Sequence, residues 1–151
     1  PGKLEYKKPI ADIMVAHDTP YAATASPYYW RDLITKARKG VEVNGPAFLH
    51  VLAPCPRGWR SDISKSIELS RLAVETCIFP LWEAIKGEYV LSSPSKPIAL
   101  KPERKKPVRE YLKVQGRFQH LFEPKFEHII DEIQQITDKR WQLLLKKCGI
   151  A

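Results

Sequence analysis

The sequence predicts an α/β fold that contains a parallel sheet. Residues 21–53 read as a strand, a helix and a second strand within 33 residues, which is the length of a βαβ crossover. The second of these strands, residues 47–53, is apolar at every position except His50. Such a strand is typical of a parallel sheet covered by helices on both faces, so we expect it to be buried.

The elements up to this strand have clear local signals. Residues 9–17 are predicted as a short helix, with a proline at its first position and apolar residues three and four apart. Residues 21–26 (YAATAS) predict a strand of small side chains. Ser26 and Pro27 then begin a second helix, whose last turn is basic and which is expected to end at Gly40.

A cysteine between two prolines follows the second strand. Cys55 stands in the run Pro54–Trp59 (PCPRGW), just past the carboxyl end of the strand. In open α/β sheets this is the edge at which ligands and cofactors collect, so the position predicts a binding role. A buried structural cysteine in a proline turn explains the residues alone equally well.

Two further elements complete the predicted domain. A helix beginning at Asp62 or Ser64 has a wide apolar arc, and Cys77 within that arc is interpreted as a core residue. Residues 81–92 predict a β-hairpin with the two-residue turn Lys86–Gly87. We therefore expect residues 1–93 to form the carboxyl-terminal part of an α/β domain.

The chain changes character after residue 93. Residues 93–107 hold four prolines with serines and lysines between them, which predicts an extended Pro/Lys-rich arm rather than a core element. Residues 107–116 predict a short helix, and residues 124–148 predict a long amphipathic helix. We expect residues 94–151 to dock on the domain or on a neighbouring subunit.

The charge is uneven. The net charge is +8, and residues 96–117 alone hold eight basic and two acidic residues. Such a segment favours acidic partners, although a merely solvated segment fits equally well. Nucleic acid is disfavoured as a partner, because few aromatic residues interleave the charges and no motif of nucleic-acid recognition is present. A membrane partner is also not expected, since the sequence lacks a run of about 18 apolar residues.

The cysteine count limits what this chain can hold by itself. Cys55, Cys77 and Cys148 are far apart and no CxxC pair occurs, which favours a reducing compartment, and we expect the cytoplasm. A closed zinc or iron–sulfur site needs about four ligands, so any cluster must take ligands from elsewhere. No nucleotide-binding, zinc-protease or nucleophile-elbow motif is present, and no catalytic residue is predicted.

Four stretches resemble one family. They are YAATASP from Tyr21, GPAFLHVLAPCPRGW from Gly45, IELSRLAVETCIFP from Ile67 and PVREYLKVQGRFQHL from Pro107. Together they resemble the carboxyl-terminal half of the β subunit of pyruvate:ferredoxin oxidoreductase (pyruvate synthase), in the 2-oxoacid:ferredoxin oxidoreductase family. The second and fourth stretches are the specific ones. Arg109 departs from the pattern, since a carboxylate is expected there.

The resemblance implies the carboxyl-terminal part of a thiamine-diphosphate-binding-type fold. It also implies that Cys55 is one ligand of a 4Fe–4S cluster near the thiamine. The other three cluster ligands, and the residues that hold thiamine pyrophosphate and Mg²⁺, would lie in an amino-terminal half absent from this sequence. This piece is therefore expected to bind no thiamine and to be inactive alone.

The implied activity is that of the complete complex. Pyruvate and coenzyme A would give acetyl-CoA and CO₂, with electrons passed through 4Fe–4S clusters to ferredoxin or a ferredoxin-like subunit. The expected partners are thus the other subunits, ferredoxin and the substrates. Related enzymes for branched-chain 2-oxoacids, 2-oxoglutarate or oxalate are alternatives, as is a fragment with a purely structural or assembly role.

Overall fold

The computed structural model describes residues 7–150, in which a four-stranded sheet has the order β2-β1-β3-β4. The strands are β1 (Tyr21–Ala25), β2 (Ala47–Val51), β3 (Trp82–Ile85) and β4 (Glu88–Leu91). The α-helices are α1 (Ile10–Ala16), α2 (Trp30–Glu42), α3 (Pro56–Trp59), α4 (Ser66–Glu75), α5 (Lys96–Leu100), α6 (Val108–Lys113) and α7 (Glu127–Lys147). Short 3-10 segments cover Pro27–Tyr29, Ile63–Lys65, Pro102–Arg104, Gly116–Phe122 and Pro124–Phe126. Within residues 7–150, every helix is too short or too polar to cross a bilayer.

The predicted βαβ unit is present. β1 and β2 pair in parallel, with Tyr21 opposite Ala47 and Ala25 opposite Val51, and α2 connects them. All five residues of β1 are buried, and the four small ones after Tyr21 fit the middle of the sheet. α2 continues past Gly40 to Glu42, and a Cβ at this glycine would lie 3.4 Å from Ala47 Cβ.

One expectation about the sheet needs correction. β2 is an edge strand whose residues are half-buried or exposed, so it is not covered on both faces by the described residues. The rest of the sheet is antiparallel, because β1 uses its other edge to pair with β3. β3 and β4 form the predicted hairpin, and Lys86 and Gly87 both have positive φ, as a two-residue hairpin turn requires.

The Pro/Lys-rich segment from residue 93 to residue 107 contains more order than an extended arm. α5 and the turn Pro102–Arg104 lie within it. Ile98 is 5% exposed and belongs to the core, and buried Ser95 accepts a hydrogen bond from the backbone N–H of Leu81 through its Oγ at 2.9 Å. The expectation that this segment contributes nothing to the core is therefore wrong at these two residues.

Two apolar clusters form the core of the described residues. One joins the β3–β4 hairpin to α7, with Trp82 and Trp141 among its buried members. The other joins α4, α6 and the start of α7, with Leu69, Tyr111 and Ile130 at its centre. Both clusters include residues from before and after residue 93, and a division of the chain at that point remains a prediction.

Candidate functional site

Cys55 lies at the carboxyl end of the parallel pair, as predicted. Leu52 donates its N–H to the carbonyl of Ala25 at 2.9 Å, so the β1–β2 pairing continues one step toward the cysteine. Cys55 is exposed and is the N-cap residue of α3. Its Sγ accepts the backbone N–H of Gly58 at 3.4 Å. Within residues 7–150, Cys55 is therefore not part of a buried core.

The backbone around Cys55 forms a closed turn. The Cys55 carbonyl accepts the N–H of Trp59 at 2.8 Å, and the Pro56 carbonyl accepts the N–H of Ser61 at 3.0 Å. Arg60 ends the turn in the left-handed region, with φ of 52°. A Cβ at Gly58 would lie only 3.3 Å from Cys55 Sγ, so glycine at this position permits the N–H to approach the sulfur. The thiol is thus presented on a short, hydrogen-bonded segment.

A distant segment holds this turn in place. Gly116 donates its N–H to the carbonyl oxygen of Arg60 at 3.0 Å. A Cβ at Gly116 would lie 2.8 Å from that oxygen and 2.9 Å from Arg60 Cβ, closer than side-chain carbons are found. Only glycine therefore fits at 116 without movement of the turn.

Arg117 fixes the same turn through its side chain. Its guanidinium lies over the ring of Trp59, 4.2 Å from the centroid, and also over Phe118 at 4.6 Å. Its Nε–H donates to Gln115 Oε1 at 2.9 Å, and Gln115 itself is 1% exposed. Tyr111 meets Trp59 edge-on at 6.4 Å between ring centroids. We call residues 115–118 together with Trp59 and Arg60 the turn clamp.

The turn clamp joins the two most specific stretches of the sequence. Trp59 ends the stretch around the cysteine and Arg60 follows it directly, while residues 115–118 form the QGRF part of the last stretch. Sequence reasoning interpreted Gly116 only as the end of a helix, whereas α6 ends at Lys113 and Gly116 begins a 3-10 segment. Both stretches are specific to the same family, and this was the signal in the sequence that could have suggested that they act together.

The other two cysteines lie in different surroundings. Cys77 is 3% exposed in the core, as predicted, and burial raises the pKa of its thiol to about 12. Cys148 is half-buried, and burial raises the pKa of its thiol as well. Both effects oppose formation of a thiolate, the form that binds metals.

His50, on β2, is half-buried and meets Phe79 edge-on at 5.0 Å between centroids. Burial lowers the pKa of its imidazole, and the positive charge of Lys7 adds to that effect. The neutral form is therefore favoured at physiological pH. These contacts agree with a packing role for His50.

The described residues can be compared with what an iron–sulfur cluster requires. Within residues 7–150, no group of three or more Cys, His, Asp or Glu side chains is placed to hold a metal ion. Cys55 is nevertheless a free, exposed thiol that already accepts an N–H, and hydrogen bonds to the sulfurs are among the features that tune a cluster. The chain therefore fits as the source of one ligand to a cluster and not as the holder of a complete one.

The basic segment is partly neutralised by its own chain. Lys105 pairs with Asp138, Lys106 with Glu75 at 3.0 Å, and Arg109 with Glu127 at 2.7 Å. Arg109 thus finds a carboxylate on α7, although the family pattern suggests a carboxylate at its own position. The exposed basic side chains of the segment include Lys96, Lys101, Arg104 and Lys113. The unneutralised positive charge is smaller than the composition suggests.

Comparison with known proteins gives consistent relatives, although no family model matches the sequence. Pyruvate synthase subunit PorB of Thermotoga maritima is 44% identical over 146 residues, which is 96% of this chain and 43% of the relative. PorB of Methanocaldococcus jannaschii is 44% identical over 143 residues, or 95% of this chain and 44% of the relative. Ketoisovalerate oxidoreductase subunit VorB of Pyrococcus furiosus is 42% identical over 142 residues, or 93% of this chain and 42% of the relative.

The chain spans less than half the length of these curated relatives. The similarity runs through nearly all of its own residues, including both halves of the turn clamp. Its motifs predicted this resemblance, and the comparison confirms it. By sequence, the chain is similar over about 95% of its length to the carboxyl-terminal part of the β subunits of the 2-oxoacid:ferredoxin oxidoreductase family.

Proposed function

We propose that this chain is the carboxyl-terminal part of the β subunit of a pyruvate:ferredoxin oxidoreductase, in which Cys55 supplies one thiolate ligand of a 4Fe–4S cluster. The observation that carries the proposal is the exposed Cys55 thiol on a hydrogen-bonded turn at the carboxyl end of β2. The similarity to PorB subunits supports the assignment of the whole reaction.

A 4Fe–4S cluster, when bound, supplies one-electron transfer. The contribution of this chain is to hold one sulfur in place. The Gly58 N–H, which donates to Cys55 Sγ, stabilises negative charge on that sulfur. Trp59 lies four residues from the cysteine and is held by Arg117, so it covers one side of the turn and restricts its motion. Such a rigid ligand keeps its geometry when the charge of the cluster changes.

The remaining cofactors belong to the part of the subunit that precedes this sequence. We propose that thiamine pyrophosphate and Mg²⁺ bind there, and that the 151-residue chain alone has no activity. This assignment is supported by the relatives, which are more than twice as long as the matched region. Coenzyme A and the 2-oxoacid would likewise be substrates of the complete complex.

Pyruvate is the proposed 2-oxoacid, with a branched-chain 2-oxoacid as the second candidate. The relatives include both pyruvate synthase and ketoisovalerate oxidoreductase subunits at nearly equal identity. The purified complex decides between them when dye reduction is measured with pyruvate, 2-oxoisovalerate, 2-oxoglutarate and oxalate in turn. The highest kcat/KM with pyruvate is expected, and a higher value with any of the other three would replace this assignment.

The partners we propose are the other subunits of the oxidoreductase and an acidic ferredoxin or ferredoxin-like subunit. The exposed lysines and arginine between residues 96 and 113 support the second partner, because unpaired surface charge steers association. We also propose a cytoplasmic location, because the three cysteines are free and widely spaced. The rate of ferredoxin reduction should fall as salt rises from about 0.05 to 0.5 M, and a flat rate would remove the steering role.

A further inference from the structure

The described part of the chain exposes apolar features on two elements that contact each other, α2 and β2. On α2, Trp30, Ile34, Ala37 and Val41 follow each other at spacings of four, three and four residues and so share one face of the helix. Trp30 is 55% exposed, Ile34 43% and Val41 87%. Isolated apolar residues on a surface are ordinary, but a stripe along three turns of one helix is not.

The second feature is the free edge of β2. β2 ends the sheet order, so within residues 7–150 the backbone groups on its outer side pair with no strand. Ala47 and Val51 are exposed at its two ends. Native proteins protect such edges with charges, prolines or a covering element, because an open edge pairs with other strands. Within β2 itself, AFLHV, no charged side chain or proline is present.

The opposite edge of the sheet shows the contrast. β4 carries Glu88 at its start, and Tyr89 lies under Lys147 of α7 at 4.9 Å. Tyr89 also donates its hydroxyl to Asp12 at 2.8 Å. Through Tyr89, β4 contacts α1 and α7, although its outer backbone edge is also unpaired within residues 7–150. Of the two edge strands, β2 is therefore the one without a charged side chain, and the helix that carries the apolar stripe packs against it.

We propose that the α2 stripe and the β2 edge together form the docking surface for the amino-terminal part that the PorB and VorB relatives possess. A strand of that part would pair with β2, and a helix would pack on the α2 stripe. The argument for this occupant is length: more than half of each relative lies outside the region matched here, while the match covers nearly all of this chain. A helix stripe beside an open strand edge is the surface expected where an α/β sheet continues.

The position of this surface also bears on Cys55, in a way that depends on the proposed cluster role. β2 leads directly into the cysteine turn. A strand added beside β2 would lie about 4.8 Å away. If it runs parallel, its own carboxyl end reaches the same edge as Cys55. The missing cluster ligands would then enter across this interface.

The test uses hydrogen–deuterium exchange on this chain alone and on a fusion that carries the amino-terminal part of Thermotoga maritima PorB ahead of it. We expect exchange of the amides in residues 30–51 to slow at least about ten-fold in the fusion, while β4 and α7 change little. A mixture of the two separate parts should give the same protection, with a binding constant measurable by calorimetry.

Charged substitutions make the test specific. Ile34→Glu with Val41→Glu should weaken binding at least about ten-fold, because a carboxylate in an apolar contact loses its hydration. Leu100→Glu with Leu143→Glu is the matched control, since these residues are 77% and 54% exposed on α5 and α7. Both pairs lie on the surface, so neither should prevent folding.

Three results would overturn the proposal. One is unchanged exchange at residues 30–51 in both the fusion and the mixture. Another is equal loss of binding in the control pair. The third is a homodimer of this chain, seen by native mass spectrometry, whose protected β2 edge the amino-terminal part does not displace. None of these results depends on iron, so a failure here is separate from a failure of the cluster assignment.

Discussion

Gly116 donates its backbone N–H to the carbonyl oxygen of Arg60, and a methyl group at Gly116 would lie 2.8 Å from that same oxygen. One residue thus both bonds the cysteine turn and leaves no space for a side chain. Arg60 has a positive φ. Only a glycine can approach the Arg60 carbonyl as closely as Gly116 does. The turn clamp therefore couples the segment that carries Cys55 to the end of α6.

Gly116→Ala is expected to destabilise the fold by about 1–3 kcal/mol, because the added methyl group must push the Arg60 backbone away. Urea denaturation of the 151-residue chain measures the change. Gly40→Ala is the control, since a Cβ there meets Ala47 Cβ at 3.4 Å within a helix. That change should fall within about 1 kcal/mol of the parent. Equal effects at the two glycines would contradict the clamp.

Arg117→Met should remove the guanidinium from Trp59 and the hydrogen bond to Gln115, at a cost of about 1–2 kcal/mol. Because the turn then loosens, alkylation of Cys55 by iodoacetamide should also become faster. Lys113→Met, an exposed change at the end of α6, is the control and should alter neither value. An unchanged alkylation rate in Arg117→Met would show that the arginine does not position the turn.

The three thiols should react in a fixed order. Cys55 is exposed, Cys148 is half-buried, and Cys77 is buried with its pKa raised to about 12. At pH 8, a disulfide reagent should therefore modify Cys55 first, Cys148 more slowly and Cys77 only after unfolding. Mass spectrometry of peptides from timed samples follows each site. Cys55→Ser should abolish the fast phase, which Cys148→Ser should leave intact.

Glu83 should make stability depend on pH in the acid range. It is half-buried, and although burial favours its neutral form, hydrogen bonds from Lys39 at 2.6 Å and Tyr21 at 2.8 Å outweigh that effect and lower its pKa below 4.5. Because the folded pKa lies below the unfolded one, the stabilisation is present above pH 4.5. It is lost as the pH falls through the folded pKa.

Glu83→Gln should therefore flatten the dependence of unfolding free energy on pH below 4.5, and it should cost about 1–3 kcal/mol at pH 7. Denaturation at a series of pH values measures both. Glu68→Gln removes an exposed pair with Lys65 at 2.9 Å and should leave stability close to that of the parent. A pH profile of Glu83→Gln that parallels the parent below pH 4.5 would rule out this role.

Local signals in the sequence predicted the helices and strands well. Contacts between residues far apart in the chain were not predicted. Ser26–Pro27, Lys86–Gly87 and the apolar spacing of residues 124–148 each act within a few residues, and each marks a real boundary or helix. The contact between Arg60 and Gly116 joins residues that are far apart in the chain, so no pattern of sequence spacing predicts it. The same holds for the antiparallel pairing of β1 with β3.

Lys36 shows a different limit. Its place among basic residues on α2 suggests a solvated side chain, yet it is 2% exposed and donates to the Thr24 carbonyl and to Asp32 Oδ2, both at 2.7 Å. Four apolar residues of α2 are instead exposed, namely Trp30, Ile34, Ala37 and Val41, and Leu33 is half-buried. An apolar pattern predicts that a helix face will be buried, but it does not identify the element that packs on that face. On α2 and β2, the sequence pattern matches the proposed contact with an amino-terminal part.

The central claim is that Cys55 is one ligand of a 4Fe–4S cluster. Its most direct test is the iron content and low-temperature EPR spectrum of the complete oxidoreductase complex that contains this chain. Cys55→Ala should remove about four irons for each β subunit and one reduced-cluster signal, while Cys148→Ala should retain both. Iron content and spectra identical in Cys55→Ala and the parent enzyme would contradict the claim.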